Sequence, residues 1–382
     1  MAAASTVLVC RELRLRQFRN YAELDLVLPR QGVALIGDNG SGKTNLLEAI
    51  YYLEIFRSFR GAPDEQLVKF GADTFYVRGR FQDPATDRTL EIAAAYDRRT
   101  RKKRVTVGGV EPERLGDAIG QIGIVVFSPS DVAVVAGSPA ERRRFMDIAL
   151  SLNAPGYLQA LQRYRQTLRQ RNTLLRDGAS PSLLAVWDHG LVESGARVMA
   201  ARANWAAAHA DAFANYYSAI SGGPAARLVY RAAAPVPPGP DVSVEDVAQA
   251  FRAELARLAP RERDRGTTLT GPHRDDFGFE LVGRDGPRDL REFGSGGQQR
   301  TAAIALRLVE AATVREARGR EPIILLDDVF AELDTGRARR ILDLLEAEAR
   351  GQVILTAPKP TDLEPRHGEL ERWKVADGTV TP

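Results

Sequence analysis

The sequence predicts an α/β fold in which a mixed sheet around a P-loop and an antiparallel β meander are accompanied by an inserted, compact helical subdomain. A buried apolar strand at 33–36 leads through a glycine-rich loop into a helical pattern. Three stretches of alternating polarity indicate the meander. Helical patterns between 138 and 221 indicate the subdomain. The three alternating stretches are 75–81, 89–96 and 104–107.

The changes between strand-like and helical sequence patterns divide the chain into three segments. We expect an N-terminal lobe with the P-loop over residues 1–130, a mainly helical insertion over 131–268, and a C-terminal lobe over 269–382. A length of 382 residues with 44% hydrophobic residues suffices for two domains, or for one large domain that carries an insertion.

Composition excludes several classes of protein. Cys10 is the only cysteine, which excludes an intramolecular disulfide framework and a cysteine-based zinc cluster. The net charge of +3 does not indicate a nucleic-acid-binding protein, so only local clusters of basic residues could do so. No apolar run is long enough to span a membrane and the N-terminus lacks a signal-peptide pattern, so we expect a cytoplasmic protein.

The first lobe begins with strand patterns at 7–10, 23–28 and 33–36. The last of these feeds a loop with the spacing G-x-x-x-x-G-K-[ST], whose backbone N–H groups can surround a di- or triphosphate. Lys43 would reach the β- and γ-phosphates, and Thr44 would supply a hydroxyl ligand for Mg²⁺. The loop is Gly37-Asp38-Asn39-Gly40-Ser41-Gly42-Lys43-Thr44, and the helix that follows directs its positive dipole end at the phosphates.

A basic turn joins two strands of the meander, because six of the eight residues 97–104 are arginine or lysine. The turn either contacts DNA or simply faces solvent. The same alternative holds for the arginine-rich helices of the insertion, where acidic residues are interleaved with Arg142-Arg143-Arg144 and with the arginines at 163, 165, 169, 171 and 176.

Three helices are expected in the insertion up to about Ser221. Ser138 with Pro139 is a typical N-cap and first helical residue, and the pattern breaks near 154–155 and 177–181. These helices are too short for a long coiled-coil arm. A short strand at 228–230, an extended proline-rich connector, and one more helix from Ser243 to about residue 258 complete the segment.

A second chemical centre lies in the C-terminal lobe. Gly294-Ser295-Gly296-Gly297-Gln298 precedes a strongly helical pattern, which is an anion-binding arrangement. About thirty residues on, four apolar residues end in Asp327 and Asp328. A carboxylate at the end of a strand beside the P-loop strand can hold Mg²⁺, and a second one can activate water. Strand alternation predicts that the two side chains point in different directions, so we assign Asp327 to the metal and Asp328 to the water.

The combination of these motifs resembles the ATP-binding-cassette ATPases and, within that superfamily, the RecF family of bacterial recombination mediators, which is similar to SMC-type DNA ATPases. Motifs with this resemblance are distributed over nearly the whole chain. They are the segments 15–21, 37–50, 56–60, 127–131, 137–147, 270–276 and 326–334.

The resemblance implies a DNA-binding ATPase that holds ATP between two copies of the chain. Lys43 and Thr44 of one copy would grip ATP and Mg²⁺, while Ser295 of the other would approach the γ-phosphate, so that hydrolysis opens the dimer. It implies catalytic roles for Asp328, Lys43 and Ser295. It also implies nucleotide contacts from Arg19, Asn20, Gly296, Gly297, Gln298 and Asp334.

The implied task is to clamp double-stranded DNA at single-strand gaps or double-strand–single-strand junctions and, with RecR and RecO, to promote loading of RecA. Hydrolysis is expected to be weak and DNA-dependent. Asp328 stands where most cassette ATPases have glutamate, and this shorter side chain would make hydrolysis slow. The segment 294–298 corresponds to the signature loop of cassette ATPases. Gly294 replaces the usual leucine before Ser295, which would leave this signature loop less anchored.

Neither the usual switch histidine nor the lobe-joining glutamine has a clear match. His273 is either a substitute for that histidine or a structural residue in a turn.

Two other classes of function also use a P-loop. A transport ATPase subunit is disfavoured by the strand-rich start, the helical insertion and the missing switch histidine. A small-molecule P-loop kinase leaves the signature loop and the turn Glu332-Leu333-Asp334 without a role. ATP-dependent dimerisation without a membrane, and retention of gapped DNA, would separate these classes from the RecF-like function.

Overall fold

The computed structural model describes residues 6–223, 225–237, 239–283, 286–329, 335–348, 350–359 and 370–382. The strands are, in chain order, β1 (Thr6–Val7), β2 (Val9–Phe18), β3 (Tyr21–Val27), β4 (Gly32–Ile36), β5 (Thr74–Gln82), β6 (Thr89–Asp97), β7 (Lys102–Val107), β8 (Ile124–Phe127), β9 (Ala226–Arg231), β10 (Asp276–Gly283), β11 (Gly286–Asp289), β12 (Arg320–Glu321), β13 (Ile323–Leu326), β14 (Val353–Ala357), β15 (Glu371–Ala376) and β16 (Thr379–Thr381). The helices are α1 (Lys43–Ile55), α2 (Leu115–Ala118), α3 (Val132–Ala136), α4 (Pro139–Asn153), α5 (Tyr157–Arg176), α6 (Pro181–Ala208), α7 (Ala210–Ser221), α8 (Val244–Arg265), α9 (Leu290–Phe293), α10 (Gly296–Arg318) and α11 (Thr335–Glu348).

The chain forms two compact units. The first unit contains Met1–Asp131 and Glu310–Pro382, and the second contains Val132–Val309. The division falls within α10, whereas the sequence placed a segment boundary after residue 268. The second unit extends further because β10 pairs with β9, and because Asp275 and Asp276 form ion pairs with arginines of the helical segment.

A mixed sheet in the first unit has the strand order β16-β15-β4-β14-β13-β8. All neighbouring pairs from β15 to β8 are parallel, so the carboxyl ends of β4, β14 and β13 lie along one edge. The sequence placed the strand before Asp327 directly beside the P-loop strand, and this is wrong. β14 lies between them and pairs with both.

The first unit also contains an antiparallel sheet of order β3-β2-β5-β6-β7 and a short parallel pair formed by β1 and β12. The predicted meander is confirmed as β5-β6-β7, and the first two long strands extend it. α1 packs against strands of the mixed sheet and of the antiparallel sheet, which explains why almost all of its residues are buried. Two of those buried residues are acidic. Glu54 accepts hydrogen bonds from the N–H groups of Ile122 and Gly123, and Glu48 is paired near the site described below.

The second unit consists mainly of α4 to α8 and a small antiparallel sheet of order β11-β10-β9. Its core brings α5, α6 and α8 together around residues such as Tyr164, Leu191 and Phe251. The third predicted helix is divided into α6 and α7, because the backbone leaves helical geometry at His209 (ψ 4°). α8 continues past the expected end to Arg265 and stops at Gly266, whose φ of +61° is the left-handed conformation that ends helices.

Buried ion pairs tie the segment 270–276 to the helices of the second unit. Arg202 is 1% exposed and pairs with Asp147 (2.7 Å) and Asp275 (3.0 Å). Arg142 makes a two-pronged pair with Asp276, at 2.7 and 2.9 Å. Removal of one partner would leave a buried charge uncompensated, so this segment has a structural function in the second unit.

Within the described residues, no helix is long and apolar enough to cross a membrane.

Candidate functional site

The glycine-rich loop between β4 and α1 has the backbone conformation of a phosphate cradle. Gly40 and Gly42 have φ of +84° and +118°, values that favour glycine. A Cβ atom on Gly42 would lie 2.5 Å from Asn20 Nδ2, so a larger residue does not fit there. A Cβ atom on Gly40 would meet nothing within 4 Å. The loop is therefore closely packed at Gly42 and open at Gly40.

Side chains of the turn between β2 and β3 donate hydrogen bonds to this loop and hold it in place. Asn20 Nδ2 donates to the carbonyl oxygen of Ser41 (3.0 Å), and the buried Tyr21 hydroxyl donates to that of Gly42 (3.0 Å). Asn45 Nδ2 in turn donates to Asn20 Oδ1 (2.8 Å). Sequence reasoning missed the contribution of Tyr21, although its place in the segment 15–21 was the available signal.

Lys43 begins α1 and is 3% exposed. Its ammonium group donates to the carbonyl oxygens of Gly37 (2.6 Å) and Asp38 (3.1 Å). Neutral carbonyl groups satisfy a buried ammonium less strongly than an anion does. A phosphate that enters the loop would therefore provide a better partner for Lys43 than the loop itself does.

Thr44 connects the loop to the acidic pair. Its hydroxyl donates to Asp327 Oδ1 at 2.7 Å, across the edge of the mixed sheet. Burial raises the pKa of Asp327, and the nearby charge of Asp328 raises it further, while the hydrogen bond from Thr44 partly offsets both.

Thr356 on β14 lies between the two carboxylates, a contact that the sequence analysis did not foresee. Its hydroxyl oxygen is 3.2 Å from Asp327 Oδ1 and 3.1 Å from Asp328 Oδ1, and it accepts the backbone N–H of Asp328 (2.9 Å). Both carboxylates thus contact one hydroxyl instead of pointing in different directions. Alternation ends at Leu326 because Asp328 adopts a φ of +45°.

These groups fit a magnesium ion. Mg²⁺ prefers oxygen ligands and usually takes one or two carboxylates together with waters and substrate phosphates. Thr44 Oγ1 and Asp327 Oδ1 are two oxygen atoms of the kind that Mg²⁺ prefers, and they lie 2.7 Å apart beside the P-loop. In the described part of the chain, no cluster of three or more His, Cys, Asp or Glu residues could hold a metal by protein ligands alone.

A cavity of about 980 Å³ adjoins the loop. Asn39, Gly40, Lys43, Thr44 and Asp328 line it, together with Arg19 and Asn20. The guanidinium of Arg19 is already engaged, because it donates to the fully buried Glu48 at 2.7 and 2.9 Å and to the carbonyl oxygen of Gln66 at 3.0 Å.

Arg60 is a second arginine in the lining of this cavity. It is held less tightly than Arg19, with Nη1 3.3 Å from Asn45 Oδ1 and 3.9 Å from Glu48 Oε2.

The signature segment lies in the second unit and begins α10. Ser295 and Gln298 make reciprocal hydrogen bonds: Ser295 N–H donates to Gln298 Oε1 (2.8 Å), and Gln298 N–H donates to Ser295 Oγ (3.3 Å). This is a capping box of the S-x-x-Q type. Ser295 and Gly296 are exposed, and Gly297 and Gln298 are half-buried. The start of α10 therefore presents a pre-formed, accessible helix N-terminus.

Gly294 does not leave this loop poorly anchored, contrary to the expectation. A Cβ atom there would lie 2.4 Å from the carbonyl oxygen of Leu290, so the leucine of other cassette proteins would not fit. Gln299 Nε2 donates to the same carbonyl oxygen (3.0 Å) and fixes the loop.

The structure thus brings together the P-loop residues, Arg19, Asn20, Asp327 and Asp328 in the first unit. Ser295, Gly296, Gly297 and Gln298 lie together in the second. Asp334 falls outside the described residues.

His273 has a structural environment. Its Nε2 lies 3.1 Å from the carbonyl oxygen of Thr268, and its Nδ1 lies 2.6 Å from the Tyr164 hydroxyl. With the proton on Nε2, the imidazole donates to the carbonyl and accepts from tyrosine, so both nitrogens are satisfied in the neutral form. Burial lowers the pKa of His273 to about 4, and the charges of Arg274, Arg143 and Arg171 lower it too.

The basic turn between β6 and β7 is largely neutralised. Arg98 and Arg99 face Asp73, Lys103 pairs with Asp64 at 2.8 Å, and Arg104 pairs with Glu111 at 3.2 Å. In the part of the chain that the structure describes, Arg101 and Lys102 have no acidic partner, and both are exposed.

Comparison with known proteins gives a consistent set of similarities. A family model described as an AAA domain, putative AbiEii toxin of a type IV toxin–antitoxin system, matches residues 33–94 and 150–360. The DNA replication and repair protein RecF of Salinibacter ruber is 38% identical over 369 residues, which cover 94% of this chain and 87% of the relative.

Solved structures of similar proteins include RecF and SMC proteins. A structure described as the recombination mediator protein RecF-ATP in the RecFOR pathway has a TM-score of 0.88 at 29% identity. The match covers 100% of this chain and 99% of the chain in that structure. The Smc head domain of Pyrococcus furiosus, bound to the C-terminal domain of ScpA, has a TM-score of 0.57 at 16% identity, with 98% and 95% covered. The second match confirms the predicted SMC-like head fold.

The pH dependence of stability tests the environment of His273. Its folded-state pKa of about 4 lies below the ordinary histidine value of 6.5, so below about pH 6.5 the unfolded chain binds a proton that the folded chain does not. Stability present at neutral pH is therefore lost as pH falls through this window. Urea unfolding from about pH 7 to about pH 5 should show that His273→Gln removes about 1–2 kcal/mol of this loss.

His189→Gln is the matched control, because it removes an exposed imidazole from α6. It should retain the pH dependence of the wild type. Parallel curves for wild type and His273→Gln would contradict a buried neutral imidazole.

Proposed function

This chain belongs to the RecF family of DNA replication and repair proteins, and on that premise we propose that it is an ATP-dependent DNA-binding protein of recombinational repair. ATP joins two copies into a dimer that clamps DNA at single-strand gaps or double-strand–single-strand junctions. Together with RecO and RecR, the dimer promotes loading of RecA. The description of a solved relative as RecF-ATP in the RecFOR pathway supports both the nucleotide and these partners.

One observation supports the nucleotide site above all others. The hydroxyl of Thr44, at the end of the P-loop, is hydrogen-bonded to Asp327 at the end of β13 (2.7 Å). A P-loop and an acid in this contact form the arrangement that P-loop ATPases use for a nucleotide and its metal. Backbone N–H groups from Gly37 to Gly42 cradle the phosphates, and Lys43 exchanges its two carbonyl partners for phosphate oxygens.

Thr44 and Asp327 are the residues that would hold Mg²⁺. When bound, the metal neutralises charge on the β- and γ-phosphates. Asp328 is the proposed water-activating carboxylate. It lines the cavity, and its left-handed backbone and its contact with Thr356 hold the carboxylate at one position. Aspartate reaches less far than glutamate, which supports slow hydrolysis that acts as a switch and opens the dimer.

The other half of the site comes from the second copy of the chain. We assign residues 1–130 and 269–382 to the two lobes of the ATPase head, with the signature at the start of α10. Its exposed N-terminus presents N–H groups and a positive dipole end, both of which attract a γ-phosphate. Ser295, Gly296, Gly297 and Gln298 then contact ATP held by the partner's P-loop. Loss of the γ-phosphate removes this contact.

Two substitutions should separate binding from dimerisation. Lys43→Ala removes the charge at the phosphates and should abolish ATP binding, by loss of a charge-assisted contact. Ser295→Arg should leave ATP binding by the monomer intact but block dimerisation, because the long side chain occupies the surface that meets the partner's nucleotide. Equilibrium dialysis measures the first property and analytical ultracentrifugation with ATP the second.

Ser182→Arg is the control for Ser295→Arg, since it adds the same side chain at another exposed serine of the second unit. It should dimerise like the wild type. ATP-dependent dimers of Ser295→Arg would refute the shared site.

DNA contact is proposed for the two unpaired residues of the basic turn, Arg101 and Lys102. Replacement of both by glutamate should weaken duplex binding and lower the slope of log K against log salt by about 2, since each lost phosphate contact removes about 0.9. Fluorescence anisotropy over a range of salt concentrations measures this slope. Arg30→Glu with Arg114→Glu makes the same change of charge at other exposed positions. Equal slopes in the two double variants would contradict DNA contact by this turn and would show that Arg101 and Lys102 simply face solvent.

A further inference from the structure

A second cavity, of about 250 Å³, lies wholly within the second unit and has no part in the proposed nucleotide chemistry. Arginines from three helices line it: Arg143 and Arg144 from α4, Arg165 from α5 and Arg202 from α6. Asp147 is the acidic residue of the lining, and His273 and Tyr164 are adjacent. Guanidinium groups this close together repel one another unless carboxylates or another anion neutralise them.

The carboxylates near this cavity are already neutralised. Asp147 pairs with Arg202 (2.7 Å) and with Arg165 (2.8 Å), and it accepts the Tyr157 hydroxyl (2.6 Å). Asp275 pairs with Arg202 at 3.0 Å. Four arginines therefore face two carboxylates, and His273 adds no charge because its neutral form is favoured.

The remaining positive charge lies on Arg143 and Arg144. Neither makes an ion pair within the described ranges, and Arg144 is exposed. Arg143 is half-buried and donates from Nη1 to the carbonyl oxygen of Asp275 (2.8 Å). Burial lowers the pKa of Arg143, and the charge of Arg202 lowers it further, while Asp276, Asp275 and Asp147 oppose this. The cation is thus held in a partly desolvated position without a carboxylate partner.

We propose that this cavity binds a phosphate group, held by Arg143 and Arg144 with support from Arg165. Guanidinium groups present several N–H donors in a planar fork that matches the oxygens of phosphate. The volume suits one phosphate group and excludes a whole nucleotide. The neighbouring Arg142 takes no part, because it is buried and paired with Asp276.

The phosphate has two sources with the same chemistry, the backbone of a nucleic acid and a free phosphate ion. The cavity belongs to the second unit and shares no residue with the P-loop of the first, so the proposal does not depend on ATP binding and can fail without affecting the proposed function of the nucleotide site.

Site-resolved chemical modification tests the proposal on the intact wild-type chain. Phenylglyoxal modifies accessible arginines, and peptide mass spectrometry gives the rate at each position. At constant ionic strength, inorganic phosphate in place of chloride should slow modification of Arg143 and Arg144 several-fold. Arg163 is the internal control, because it is exposed on α5 and does not line the cavity. Its rate should not change.

A duplex without terminal phosphates provides the second arm of this experiment. Selective protection of Arg143 and Arg144 by either inorganic phosphate or the duplex supports the site and identifies the source. The proposal is overturned if neither protects them, or if Arg163 is protected equally.

Substitution gives an independent test at a position that does not endanger folding. Arg144 is exposed, so Arg144→Gln removes one donor from the cavity and leaves the buried ion pairs intact. The concentration of protecting phosphate or duplex that halves the modification rate of Arg143 should rise about tenfold, the effect expected for loss of one charged hydrogen bond. Arg163→Gln should leave that concentration unchanged. An equal concentration in wild type and Arg144→Gln would contradict the proposal.

Discussion

The hydrogen bond from Thr44 to Asp327 joins residues 283 positions apart in the sequence, and the nucleotide site depends on it. The contact exists because β4, β14 and β13 are parallel neighbours whose carboxyl ends share one edge of the mixed sheet. The P-loop leaves that edge from β4, the acidic pair leaves it from β13, and Thr356 lies on β14 between them. The turn at Asn20 and Tyr21 then supports the loop from the antiparallel sheet, so the mixed sheet and the antiparallel sheet both contribute to its position.

Two carboxylates lie close together at this edge of the sheet. Asp327 and Asp328 both contact the hydroxyl of Thr356, which has one proton to donate. One carboxylate is therefore left without that donor. Burial, together with the charge of Asp328, raises the pKa of Asp327. The ammonium group of Lys43 donates only to backbone carbonyl groups among the described residues. A nucleotide with its metal would supply an anion to the lysine and a cation to the carboxylates. Arg143 in the second unit is in a comparable position, because its guanidinium donates to a carbonyl oxygen and has no carboxylate partner in the described residues.

The local parts of this architecture could be predicted from the sequence, because their signals are local. The P-loop, the meander, the capped start of α4 and the acidic pair at the end of β13 each depend on spacing within a few residues. Contacts between distant segments could not be predicted. No local pattern indicates that β14 separates β4 from β13, that Arg142 pairs with Asp276, or that a left-handed Asp328 ends the alternation of its strand. Thr356 was visible as a polar residue in an apolar strand, but its role required the strand order.

The central claim is that two copies of the chain complete one nucleotide site. Crosslinking between separately labelled copies tests it most directly, since Cys10 is buried and does not compete. One copy would carry Asn39→Cys in the P-loop and the other Ser295→Cys at the start of α10. After the two are mixed, a short bismaleimide should give a crosslinked dimer with ATP and Mg²⁺, and little without nucleotide. Equal crosslinking with and without ATP, or none in either condition, would contradict the claim.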